Sequence, residues 1–238
     1  MPTRPRTPLL FPFLEPRRLP GPLPRGAFRP SPPPRPRKEW IARILRALDL
    51  LEPAVLERDR WWYFRARTWC DRLSSAHGVP VDRVVAVLAV LSPSCLWERN
   101  LSDTRNLVTW WAGGRKGRRP SCQTYGRNVK KALGILRAPA DACLERLISP
   151  RRPTGAPKTL SFYRMILSPW RRDVVVVDRH ASTVALGSRP NGGRISFRRY
   201  RDIMGAYQRA GLRRGLSGAE AQACCWEAWR SGLLEDLE

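Results

Sequence analysis

The sequence predicts an all-α fold. Apolar side chains recur at three- and four-residue spacing in most segments after residue 38, and Gly and Pro punctuate the chain at roughly helix-length intervals. A single β-branched run, VVVV at residues 174–177, leaves little room for a sheet. With 238 residues and 42% hydrophobic side chains, the chain can bury a substantial core.

Residues 1–38 hold 13 of the 23 prolines, many arginines and one acid, Glu15, so neither helix nor sheet is favoured there. This segment reads as a disordered basic tail that adds phosphate affinity, serves in targeting, or reflects an over-long gene start; the folded domain is expected over 39–238. Trp40, Ile41, Ile44, Leu45, Leu48 and Leu51 define the first helix, and Pro53 stops it. A second helix is expected from Val55 to about Ala76, before His77-Gly78. Residues 81–91 (VDRVVAVLAVL) are apolar on nearly all sides, which suits the central helix of an all-helical domain, a buried strand being the rival reading. Helical spacing resumes over 97–111, and residues 113–120 form a basic loop. Beyond Tyr125-Gly126-Arg127-Asn128, a short amphipathic helix carries Val129, Ala132, Leu133, Ile135 and Leu136, and another spans roughly 140–148. After the extended, buried run 174–177 come a short helix through Leu186, a loop at 190–193, and helices at about 197–210 and 217–230. Ser217 and Glu220 make a capping box for the last.

A formal charge of +24 and a pI near 11.4 direct the chain toward a polyanion: DNA, RNA or an anionic membrane. Nucleic acid is the expected partner and a membrane is not, because no apolar run approaches the roughly 20 residues of a spanning helix. Part of the charge is equally read as an arginine-biased composition. Six cysteines without a CxxC pair suggest a reducing compartment, cytoplasmic or nucleoid-associated, that of a phage-infected host included. No metal and no cofactor are expected, and Cys224 and Cys225 read as small buried side chains.

The chemistry concentrates in residues 155–180. Lys158 follows the turn Thr154-Gly155-Ala156-Pro157 and is one of only five lysines among 44 basic residues. Only lysine, of the two cations, can lose its proton and act as an amine nucleophile. Gly155, the Thr159 hydroxyl and the next helix N-terminus could together hold a phosphate. Asp178 emerges from the apolar run, where it caps a helix, takes a proton from an ammonium, or stabilises a cationic transition state. His180 reads either as a structural imidazole or as part of a base pocket.

The strings VVAVLAVLSPSCLWERN, YGRNVKKALGIL, GAPKT, VVVVDRHAS and AQACCWEAWR occur in the order seen in the endonuclease III family of helix-hairpin-helix DNA glycosylases, which the chain resembles over about residues 81–230. By this resemblance, Lys158 matches the hairpin lysine that attacks the anomeric sugar carbon, and Asp178 matches the essential aspartate. WERN, GRNVKKA, KTLSFY and DRHA are more similar to a phage-associated branch of that fold, the amino-acid or polyamine transferases of DNA hypermodification. Two departures stand out: Ala156-Pro157 replaces a second hairpin glycine, removing a backbone donor, and Ser92-Pro93-Ser94 replaces a duplex-wedging Ser-Ala-Gln. The four-cysteine cluster frequent in the family is absent.

Three functions follow as expectations. The first is a monomeric DNA glycosylase, with or without lyase activity, acting on an extruded, modified base, with Lys158 as nucleophile and Asp178 as its carboxylate partner. The second is a transferase on a modified pyrimidine, and the third a DNA-binding module without catalysis. Arg127, Asn128, Lys130, Lys131 and Arg179 are the expected DNA contacts, and Trp97 and Tyr163 the expected rings of the base pocket, with His180 beside them.

Overall fold

The computed structural model describes residues 36–150, 157–189 and 195–232. Among them every regular element is a helix, eleven in all, with no strand. These are α1 (Lys38–Asp49), α2 (Pro53–Arg60), α3 (Trp62–His77), α4 (Val81–Leu91), α5 (Trp97–Ala112), α6 (Gly126–Arg137), α7 (Leu144–Ile148), α8 (Pro157–Leu167), α9 (Arg179–Leu186), α10 (Phe197–Arg213) and α11 (Gly218–Arg230). Two compact units emerge, one built from the chain's two ends, up to Arg65 and from Val177, the other from Ala66–Val176.

In the second unit α4 is the centre. Its residues from Val84 to Leu91 are all buried, which the absence of polar side chains after Arg83 requires, and α5, α6 and α8 pack around it. The helical reading of 81–91 therefore holds over the strand. Arg83 joins the neighbouring layer by donating to the carbonyls of Leu136 (3.2 Å) and Pro139 (2.6 Å), so the C-terminal end of α6 is satisfied by a side chain.

In the first unit α1 buries Trp40, Ile41, Ile44, Ala47 and Leu48 against α9 and α10, and α11 packs on α2 and α10. Ser217 and Glu220 form the expected capping box on α11. Cys224 and Cys225 are buried within that helix, and burial pushes the Cys224 thiol up to about 12.

Two expectations need correction. The helix foreseen from Val55 to Ala76 is broken at Trp61, because the adjacent rings of Trp62 and Tyr63 are both buried against α11, Trp62 edge-on to Trp226 at 5.4 Å and Tyr63 bonded to Gln222 at 2.6 Å. The helix foreseen over 140–148 is only Leu144–Ile148, since residues after Pro139 close a turn in which Ala142 N–H donates to the Pro139 carbonyl. Residues 174–177 are buried as expected and belong to no regular element; the Val177 N–H donates to the Tyr200 hydroxyl at 3.1 Å. Of the tail expected over 1–38, residues 1–35 lie outside the described residues and Lys38 already belongs to α1; Thr154, Gly155 and Ala156 of the expected turn and the loop expected at 190–193 also lie outside them.

Candidate functional site

Lys158 is the second residue of α8. Pro157 occupies the first position, where its fixed φ suits a helix start and its missing N–H breaks no intrahelical bond. A cation here faces the positive end of the helix dipole, costing about 0.3–1 kcal/mol where a carboxylate would gain it. Lys158 is half-buried, and among the described residues nothing bonds or pairs with its ammonium. Thr159 is buried at the next position, and further along α8 Phe162, Tyr163, Met165 and Ile166 form the buried face.

Trp97 and Tyr163, expected to line a base pocket, are 6% and 5% exposed. Trp97 sits edge-on to Phe162 at 6.3 Å, and burial pushes the Tyr163 phenol up to about 12, helped by Asp82 and Glu145. Both rings are thus part of the second unit's interior, with little face open to a stacking base.

Four of the expected DNA contacts, Arg127, Asn128, Lys130 and Lys131, lie on α6. Arg127 and Lys130 are exposed at its N-terminal half, with the Arg127 guanidinium 4.8 Å from the Tyr125 ring centre. Asn128 Nδ2 donates to Thr124 Oγ1 at 3.1 Å, and Thr124 in turn to the Pro93 carbonyl at 2.9 Å. The Ser94 hydroxyl, on a residue with φ of 58°, donates to the Tyr125 hydroxyl at 2.9 Å, tying the turn after α4 to the start of α6. Lys131 behaves differently. Its half-buried ammonium donates to the Ile148 carbonyl at 2.8 Å, and desolvation together with Arg127 lowers its pKa. It therefore anchors the C-terminal end of α7.

Asp178 belongs to the first unit. Its Oδ1 accepts from the Ala181 N–H at 2.8 Å, so it is the N-cap of α9. Its backbone carbonyl accepts from Ser182 through both N–H and hydroxyl, and the peptide before it is fixed by Val177 N–H on Tyr200. Oδ2 takes no hydrogen bond from a described residue. The other end of α9 is as firmly held: Gly187 adopts φ of 75°, a Cβ there would lie 2.8 Å from Arg43 Nε, and Arg43 donates to the Leu186 carbonyl at 2.8 Å. Asp178 thus rides on a helix capped at both ends.

Sequence reasoning missed the buried tyrosines that surround this cap. Tyr200 bonds Val177, Tyr207 donates to the Ala181 carbonyl at 3.1 Å, and Tyr63 bonds Gln222. Burial raises the Tyr63 and Tyr207 phenols well above their ordinary value, and the nearby Asp178 carboxylate adds to both shifts. Three tyrosines far apart in sequence give no local pattern; only the fold gathers them. Arg179 is exposed on the first turn of α9, and His180 is half-buried with its ring 5.5 Å from that of Trp229.

The described residues include no cluster of His, Cys, Asp or Glu arranged to hold a metal ion, and no helix long and apolar enough to cross a membrane. No curated protein and no solved structure matches the chain. A family model does, over residues 31–233, which include every described residue, and the chain belongs to that family, described as a family of unknown function (DUF7178).

Proposed function

We propose that the protein is a DNA-binding enzyme of glycosylase type that reacts through the Lys158 amine at the sugar carbon of an extruded, modified nucleotide. The observation that carries this reading is the placement of Lys158. A chain that writes arginine for nearly every cation places a lysine at the second position of α8, where its charge opposes the helix dipole and no described residue engages it.

In the reaction, the neutral amine attacks the anomeric carbon, the carbon–nitrogen bond to the base breaks, and the base leaves with a proton. The C1′–O4′ ring bond then opens, O4′ takes the proton the amine gives up, and the resulting iminium can lose a proton from the neighbouring sugar carbon, expelling the 3′ phosphate and cutting the strand. The family resemblance assigns Asp178 the carboxylate role, that of accepting an ammonium proton or offsetting a developing positive charge. Capping gives Asp178 a fixed orientation, and its Oδ2 remains available.

The test is a panel of duplex and single-stranded oligonucleotides, each with one modified base, incubated with the full chain. Nucleoside mass spectrometry should find a free base, and borohydride should trap a protein–DNA adduct with the wild type but not with Lys158→Ala. A new base adduct with no free base would replace this reading with transfer onto the modified pyrimidine. DNA binding without any product would leave a binding module.

A further inference from the structure

From Thr104 to Ala140 the chain contains nine Lys and Arg residues and no Asp or Glu. Elsewhere in the second unit four arginines are paired with nearby acids: Arg67 with Asp71, Arg99 with Asp103, Arg164 with Glu145 and Arg171 with Asp173. Within the acid-free stretch, Arg115, Lys116, Arg118, Arg119, Arg127 and Lys130 are all exposed, and among the described residues none has a carboxylate partner. Like charges at this density repel, and no acid of the stretch itself offsets them.

The loop carrying four of these cations has a defined backbone. Gly114, Arg115 and Gly117 adopt φ of 76°, 62° and 72°, a left-handed conformation that costs Arg115 energy and glycine none. The Arg115 N–H donates to the Trp110 carbonyl at 2.9 Å, and the Trp110 indole N–H to the Gly117 carbonyl at 3.4 Å, so both ends of the loop close on the last turns of α5. The Arg115 guanidinium lies 5.1 Å from the Trp111 ring centre, and Arg127 similarly caps Tyr125, which is 50% exposed. Aromatic rings thus orient one guanidinium on the loop and one at the start of α6 without neutralising either.

We infer that the loop at residues 113–119 and the start of α6 form a phosphate-binding surface for nucleic acid, built from residues other than Lys158 and its neighbours in α8. Nucleic acid fits better than a lipid surface, because residues 112–119 (AGGRKGRR) offer no apolar side chain beyond one alanine to enter a bilayer. The inference rests on the nucleic-acid part of the proposed function and not on its chemistry.

The experiment measures binding of the full chain to an unmodified duplex oligonucleotide over a range of salt. Arg115, Lys116, Arg118 and Arg119 are changed together to Gln; the control changes Arg198, Arg199, Arg209 and Arg213 of α10, also exposed, by the same charge. The loop variant should bind at least roughly tenfold more weakly at physiological salt, with the slope of log K against log salt shallower by about three to four, since each phosphate contact contributes about 0.9. Lys130→Gln should remove about one contact. Equal losses in loop and control variants would reduce the effect to net charge and overturn the inference. So would a loop variant that binds DNA like the wild type, or one that loses only its binding to phosphatidylglycerol vesicles. A wild-type protein that binds no DNA would instead sink the wider nucleic-acid reading.

Discussion

Replacing Asp178 separates its structural role from its chemical one, because the cap and the free carboxylate oxygen are different atoms. Asp178→Ala removes the acceptor for the Ala181 N–H, and loss of an N-cap costs about 1 kcal/mol. It also removes a negative charge from the N-terminus of α9, worth about 0.3–1 kcal/mol. Together these give about 1.5–2 kcal/mol, or a Tm lower by roughly 4–6 °C for a chain of this size. Asn caps as well as Asp, so Asp178→Asn loses only the charge and should lower Tm by about 1–2 °C. Thermal and urea unfolding of the three proteins, with base release assayed alongside, checks both parts. Asp178→Asn should fall by orders of magnitude in rate while keeping its DNA affinity. An Asn variant as unstable as the Ala variant would refute the cap, and an Asn variant with wild-type rate would leave the carboxylate as a cap alone.

Two further outcomes follow from the first unit. Tyr200→Phe deprives the Val177 N–H of its partner next to Asp178, which should cost about 1–3 kcal/mol and lower kcat while leaving DNA affinity and KM nearly unchanged; a variant that loses stability but not kcat would make Tyr200 purely structural. Burial pushes the Glu227 carboxyl up to about 7 from 4.5, with Asp59 adding and Arg230, Arg65 and Arg58 opposing. A raised carboxyl pKa means that this group's contribution is complete below about pH 4.5 and is lost as pH rises through about 7, a swing of about 3 kcal/mol. Glu227→Gln should therefore be more stable than the wild type at pH 8, and the difference should shrink as pH falls toward 5; urea titrations with a constant difference would contradict the assigned burial.

The helices with strong periodicity were legible in the sequence. The buried faces of α1, α4 and α6 fall on the residues their spacing marks, and Ser217-x-x-Glu220 announced α11. The break at Trp61 was not, because no Gly or Pro marks it and the cause is contact with a helix more than 150 residues away. The valine run is legible as buried, but the bond from the Val177 N–H to a tyrosine side chain has no signature in the sequence. Asp178 could be read as a cap from its position before α9, whereas the tyrosines around it could not. Lys131 looked like one of several phosphate-binding cations; its role at the Ile148 carbonyl depends on how α7 packs on α6.

That role also sets the sharpest test of the proposed chemistry. Lys131 is the other half-buried lysine among the described residues, and its lowered pKa makes it the natural rival amine. Borohydride trapping on an oligonucleotide that yields free base, followed by peptide mass spectrometry, distinguishes the two directly. The account predicts a deoxyribose adduct on the peptide bearing Lys158. An adduct on Lys131, or an active enzyme that forms none, would contradict it.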